Sequence, residues 1–140
     1  MPLETAPVEA GLFASLDPPR LAGTRCAACG TVVFPAAASC PRCSGRDVVP
    51  HALPDRGTVW SWTVQGFEPK APYVAPPDGF TPFAVGYVDL GDVIVESHLL
   101  VPHTDLRIGL PVRLTLERVW ETDEGAVMTY AFEPDPEVQP

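Results

Sequence analysis

From Gly57 onward the chain alternates with a period of two. In Gly57-Thr58-Val59-Trp60-Ser61-Trp62-Thr63-Val64-Gln65, the residues Trp60, Trp62 and Val64 alternate with Val59, Ser61 and Thr63, the pattern of a strand with two unlike faces. Phe83 to Leu90 is a second β-rich run. Asp89-Leu90-Gly91-Asp92 carries turn residues, and Val93 to Leu99 returns from it as the other arm of a hairpin. Val112 to Trp120 and Ala126 to Phe132 make a further pair across Glu121-Thr122-Asp123-Glu124-Gly125. Five strands with turns between them match a small Greek-key barrel of the OB type, although an open meander or an SH3-like barrel has the same strand count. Upstream, Thr31-Val32-Val33-Phe34 reads as a short strand stopped by Pro35. Glu9 to Leu16 is expected to form a short helix with Leu12, Phe13 and Leu16 on one side, ended by Pro18 and Pro19. A helix this short is marginal alone and must dock on something.

These patterns predict an all-β fold with a short N-terminal helix. The expected divisions are an N-terminal segment over 1–19, a small module over 20–56, a barrel over 57–133 and a flexible tail over 134–140. One connection is long: Gly66 to Pro82 holds Pro69, Pro72, Pro76, Pro77 and Pro82, with Phe67, Tyr73 and Phe80 between them. Loops beyond about 12–15 residues are usually functional or disordered. A flap packed on its own barrel and a loop contacting a ligand or partner fit this segment equally well.

Composition sharpens this picture. The 140 residues include 18 Pro and 11 Gly, yet 46% are hydrophobic and the mean hydropathy is +0.09, so a packed core is expected and wholesale disorder is excluded. No apolar run approaches the roughly 20 residues of a spanning helix. Met1-Pro2-Leu3-Glu4-Thr5 lacks a basic or apolar leader, so the expected location is the cytoplasm, with thiols reduced. The net charge of -9 is unevenly spread. Residues 1–19 carry Glu4, Glu9 and Asp17 and no base, whereas residues 20–56 carry Arg20, Arg25, Arg42, Arg46 and Arg56 against Asp47 and Asp55. Thirteen acids after residue 56 face Lys70, Arg107, Arg113 and Arg118. A boundary therefore shows in charge near Arg56–Gly57.

The clearest chemical signal lies in the basic module. Cys26-Ala27-Ala28-Cys29-Gly30 is followed by Cys40-Pro41-Arg42-Cys43. Two C-x-x-C pairs at this spacing suit a tetrahedral thiolate site with sulfur about 2.3 Å from Zn²⁺. Gly30 supplies the freedom that a tight turn after the second thiolate needs, and Pro41 stiffens the second turn. A redox dithiol would need a βαβ context that this sequence lacks; spacing does not separate zinc from iron. Cys26, Cys29, Cys40 and Cys43 are thus the expected ligands of one structural ion. With all four positions filled by cysteine, no site is left open for a catalytic water. So small a module cannot fold on apolar burial alone, and metal binding supplies its stability.

The order of parts resembles the acyl-CoA-associated zinc-ribbon/OB-fold family, long catalogued as a domain of unknown function. The residues that carry the resemblance are Cys26 to Gly30, Phe34-Pro35, Cys40 to Cys43, Gly57 to Val64, Pro82 to Leu90, and Ile108-Gly109-Leu110-Pro111-Val112. Where the family usually has a second proline, this sequence has Ala36. The resemblance implies a rubredoxin-like N-terminal zinc ribbon followed by a five-stranded OB-fold barrel. It further implies a non-catalytic accessory or scaffold subunit for thiolase-superfamily enzymes (thiolases, acyltransferases, lipid-transfer-protein-type aldolases) that helps hold CoA or acyl-CoA. Among functional residues, only the four zinc ligands carry over from the family.

Three function classes remain to be compared. An acyl-CoA accessory module needs cations for phosphate and apolar surface for the pantetheine arm. The ribbon arginines and Trp60, Trp62, Tyr73 or Phe80 are the candidates. Surface arginines are more often solvated or paired with nearby acids, and strand tryptophans more often belong to the core. Single-stranded nucleic-acid binding, the other common use of OB barrels, needs a cationic groove with stacking aromatics. The acidic barrel opposes it, Arg107, Arg113 and Arg118 being its main basic residues. Intrinsic catalysis would draw on His51, His98 or His103; Glu96 and His98 share a strand face and could form an acid/base pair, although such a pair is more often an exposed polar face. The sequence carries no nucleophile elbow, no H-E-x-x-H and no glycine-rich phosphate loop.

Overall fold

Strands that alternate along the second half close on one another. The computed structural model describes residues 4–7, 11–71, 73, 75, 78–122 and 125–137. Its strands are β1 (Glu4–Pro7), β2 (Phe13–Leu16), β3 (Pro19–Cys26), β4 (Val32–Val33), β5 (Val48–Ala52), β6 (Arg56–Gln65), β7 (Phe83–Asp89), β8 (Ile94–Leu99), β9 (Pro111–Thr122) and β10 (Gly125–Pro134). A single 3-10 turn, His103–Asp105, stands between β8 and β9.

The larger sheet runs β1-β10-β8-β7-β6-β9, and β9 also pairs with β10. That extra pairing closes β6, β7, β8, β10 and β9 into a five-stranded barrel, with β8 and β10 parallel and the other pairs antiparallel. Of the barrel types compatible with the sequence, the OB type is the one that forms. β1 lies parallel to β10 outside the ring.

Side chains alternate as the pleat requires. Ala84, Gly86 and Val88 of β7 and Val95, Ser97 and Leu99 of β8 point inward and are buried. Gly86 has a steric role: a Cβ there would sit 2.2 Å from the Ser61 carbonyl oxygen, so only glycine lets β6 and β7 approach at this point. A bulge between Val59 and Ser61 shifts their register.

The ribbon is a second sheet in which β3 is central, pairing with β2 and β4 and, separately, with β5. Pro50 lies within β5, opposite Thr24. Proline is tolerated there because β5 is an edge strand with no second partner to supply. Ribbon and barrel share one core. Leu21 and Leu53 from the ribbon side are fully buried in the same cluster as Val59, Val88, Val112 and Phe132, with Phe13, Val32 and Phe34 packed against it. Phe34 also meets Tyr130 of β10 edge-to-face at 5.5 Å.

Two expectations are corrected. The segment expected to form a helix over Glu9–Leu16 is extended where it is described: Phe13–Leu16 is β2, and residues 8–10 lie outside the described residues. Gly11 has φ +89, a left-handed conformation that a right-handed helix cannot pass through. Pairing with β3 gives the backbone partners that so short a helix would leave unsatisfied. The tail is also fastened further than expected. β10 runs to Pro134, Asp135 is buried, and the Arg56 guanidinium reaches both Asp135 and Glu137. Residues 138–140 lie outside the described residues. Among the described residues no helix is long and apolar enough to cross a membrane.

Candidate functional site

The two C-x-x-C turns are built alike. The Gly30 amide donates to the Cys26 carbonyl and the Ser44 amide to the Cys40 carbonyl, each at 2.8 Å. The Cys26 amide donates to the Thr31 carbonyl and the Cys40 amide to the Gly45 carbonyl, at 2.9 and 2.8 Å. Both turns then pass through a left-handed residue, Gly30 at φ +80 and Ser44 at φ 64. Glycine adopts this conformation freely, whereas serine is held there by the surrounding bonds.

The turns face each other and bring four sulfurs together. The Sγ atoms of Cys26, Cys29, Cys40 and Cys43 all lie within 4.8 Å of one another. Cys26 to Cys43 and Cys29 to Cys40 are each 3.6 Å. A regular tetrahedron with 2.3 Å metal–sulfur bonds has edges of about 3.8 Å, so the donor set fits a zinc-sized thiophilic ion. Cys26 and Cys40 are buried and Cys29 and Cys43 exposed, which places the cluster at the ribbon tip with one side toward solvent.

Hydrogen bonding differentiates the sulfurs. The Thr31 hydroxyl, 3.1 Å from Cys29 Sγ, and the Thr31 amide hold that thiol down at about 6. The Cys43 amide lowers Cys40, against the effect of desolvation. At Cys43 the Gly45 amide favours the thiolate, but the sulfurs of Cys26, Cys40 and Cys29 outweigh it and push the thiol up to about 11. A thiol held protonated by neighbouring sulfurs, as Cys43 is, is one a cation would relieve.

The ribbon arginines divide into two groups. Arg20 Nε donates to the Leu53 carbonyl at 2.8 Å, and Arg56 is committed to Asp135 and Glu137. Arg25, Arg42 and Arg46 are exposed and have no ion pair among the described residues.

On the barrel, the sequence places Glu96 and His98 on one strand face. Glu96 and His98 do line one surface pocket of about 340 Å³, with Val85, Ser97, Thr129 and Tyr130. His98 Nδ1, however, lies 2.7 Å from Oε1 of Glu117, which reaches over from β9. The Ser97 hydroxyl donates to the His98 carbonyl and the Tyr130 hydroxyl to the Glu96 carbonyl, so both are committed to backbone. Burial, and then the charge of Glu96, raise the Tyr130 phenol.

The aromatic residues also divide. Tyr73 and Phe80 of the proline-rich loop cluster with Phe83 at ring separations of 6.0–6.4 Å, and Phe83 meets the His98 ring at 4.8 Å. The loop is therefore anchored to β7, whereas its Phe67 is exposed. Pro72, Val74, Pro76 and Pro77 lie outside the described residues. Trp60 and Trp62 depart from the core role usual for strand tryptophans: they are 55% and 39% exposed. At the bulge Val59 takes the inward place opposite Val88.

Comparison with known proteins matches this architecture. A family model described as the ChsH2 rubredoxin-like zinc ribbon domain matches residues 13–49, and one described as the ChsH2 C-terminal OB-fold domain matches residues 50–117. A DUF35 domain-containing scaffold protein of Methanocaldococcus jannaschii is 30% identical over 118 residues, covering 80% of this chain and 78% of the relative. The benzoylsuccinyl-CoA thiolase subunit BbsA of Thauera aromatica is 28% identical over 116 residues, covering 81% and 76%. Among solved structures, a chain of the Ltp2-ChsH2(DUF35) aldolase superposes with a TM-score of 0.61 at 27% identity, covering 82% of this chain and 84% of that one. With the zinc-ribbon and OB modules in the same order, and this identity across most of the length, the chain belongs to the DUF35 family of ChsH2-type zinc-ribbon/OB-fold proteins.

Proposed function

We propose that this chain is a non-catalytic accessory subunit that docks on a thiolase-superfamily enzyme in the cytoplasm and contributes to holding its CoA or acyl-CoA. The observation that carries the reading is the likeness over about four-fifths of the chain to a thiolase subunit and to a chain of an aldolase complex. The structure supports it from two sides. The best-formed cluster of chemically reactive side chains is a four-sulfur site with every ligand position occupied by protein, a structural rather than a catalytic arrangement. Cys26, Cys29, Cys40 and Cys43 would hold one Zn²⁺, which closes the ribbon over 20–56 and, through Leu21 and Leu53, braces the barrel over 57–133. The exposed Arg25, Arg42 and Arg46 are the cations available to CoA phosphates.

The test is coexpression of this chain with a thiolase-superfamily enzyme encoded by a neighbouring gene of its source genome. Recovery of a stoichiometric complex, with one zinc per chain by elemental analysis, is the expected result. A lone chain with no calorimetric response to acyl-CoA and no enzyme subunit attached would overturn the reading. Turnover of acyl-CoA by the isolated chain would overturn its non-catalytic part, and iron in place of zinc would correct the metal.

A further inference from the structure

The pleat that sends Ala84, Gly86 and Val88 into the barrel sends Val85, Tyr87 and Asp89 out, and in β8 it sends Ile94, Glu96 and His98 out. Register places Tyr87 beside Glu96 and Asp89 beside Ile94. The bulge in β6 adds Trp60, whose ring meets Tyr87 edge-to-face at 6.2 Å. Trp60, Tyr87 and Ile94 are 55%, 42% and 43% exposed. Their uncovered surface amounts to roughly 300 Å², as large as the main apolar patch of a typical monomer, and such patches are often functional. Ile108, also exposed, extends this face: the next residue, Gly109, donates its amide to the Val59 carbonyl at 2.7 Å, beside Trp60.

The rim decides what can cover this face. Asp89 and Glu96 are the outward neighbours of Tyr87 and Ile94, and Asp92 stands in the β7–β8 turn, 3.4 Å from His51. Arg107 flanks Ile108 at the other edge. A Trp/Tyr platform on an OB barrel has the form of a base-stacking surface. Carboxylates beside the rings repel phosphate, however, so nucleic acid, an anionic lipid surface and the phosphate end of CoA are all disfavoured here. A protein surface with a small apolar centre and lysine or arginine at its edge has the complementary chemistry. Aromatic residues of this kind carry the binding energy of protein interfaces, and a standard interface covers about 800 Å² per partner, so the patch has the size of an interface centre.

We propose that the outer face of β6, β7 and β8, centred on Trp60, Tyr87 and Ile94, is the surface that docks the enzyme subunit, against an apolar patch edged with basic side chains. This assignment rests on the function proposed above. The probe is the thiolase-type subunit that copurifies with the wild-type chain, measured by interferometry against immobilised variants. Trp60→Ser and Tyr87→Ser should each weaken binding about 30-fold or more, the loss expected at an interface centre. Glu96→Lys should slow association and reduce its salt dependence. Val49→Ser, at an exposed apolar position of the ribbon, should bind like wild type. All four positions are at the surface, and equal thermal midpoints will show that the fold is kept.

Recovery of the subunit with unchanged affinity for Trp60→Ser and Tyr87→Ser overturns the surface and leaves the function standing. An equal loss with Val49→Ser also overturns the surface. A wild-type dimer that Trp60→Ser dissociates in sedimentation assigns the face to a second copy instead. If no thiolase-type subunit is recovered, the function fails and this assignment with it.

Discussion

Leu53→Ala tests whether zinc ribbon and barrel are one folding unit. Leu53 follows β5, is fully buried, and lies in the same cluster as Val59, Val88 and Phe132 of the barrel. Truncation removes three carbons, about 2.4 kcal/mol of transfer free energy at roughly 0.8 kcal/mol each. The site cannot collapse to recover it. A Cβ on Gly23 would lie 3.0 Å from Leu53 Cδ2, so β3 already presses on this side chain, and β3 is held between β4 and β5. The residual cavity brings the expected cost to about 3–4 kcal/mol. For a chain of this size that lowers the melting midpoint by roughly 10 °C. The assay follows two signals in one melt: tryptophan fluorescence, from Trp60, Trp62 and Trp120, all on barrel strands, and zinc release to a chromogenic chelator, from the ribbon. Both transitions should coincide in the wild type and move down together in the variant. If zinc release shifts while the tryptophan transition stays in place, the shared core does not couple the modules and the reasoning fails.

Other outcomes follow from the same geometry. Gly86→Ala forces a Cβ to within 2.2 Å of the Ser61 carbonyl oxygen, and should leave little folded protein, seen as loss of soluble yield and of native circular dichroism. Ser44→Gly removes the left-handed strain at φ 64, which costs a non-glycine residue roughly 1–2 kcal/mol, less the extra unfolded-state entropy of glycine. A net gain of about 0.5–1 kcal/mol should appear as slower zinc loss to chelator, and faster loss would refute the account. The Tyr130 phenol is raised by burial and then by Glu96. The neutral form is thus favoured in the fold, and stability present below the ordinary tyrosine value of about 10 is lost as pH rises through the folded value. Tyr130→Phe should flatten this alkaline limb in urea titrations at pH 9 to 11, and an unchanged limb would place the effect elsewhere.

Several features were legible without coordinates because each rests on neighbours along the chain. The four-sulfur cluster follows from two short C-x-x-C turns, each closed by its own backbone bonds, so spacing alone brought the four sulfurs together. The five barrel strands follow from period-two alternation and turn chemistry, and their limits lie within a few residues of those expected. Tyr73 and Phe80 between prolines marked a loop with something to bury.

What stayed hidden depends on contacts between distant segments. β3 and β5 contain Gly, Pro and Arg at positions that local propensity reads as non-strand. They are strands because Pro50 lies on an edge and because Gly23 lets the Val33 carbonyl approach. The N-terminal segment is extended because β3 offers it a partner, which outweighs the local tendency toward helix. His98 meets Glu117 rather than Glu96 because the barrel closes β9 and β8 around β10, bringing together side chains 19 residues apart. The strand pattern likewise put Trp60 and Trp62 on one face, whereas the bulge between Val59 and Ser61 separates them, leaving Trp60 beside outward Tyr87 and Trp62 opposite inward Gly86. Local order thus specified the turns, the four-sulfur cluster and most strands, whereas barrel closure and one bulge set which side chains meet, and which remain uncovered for a partner.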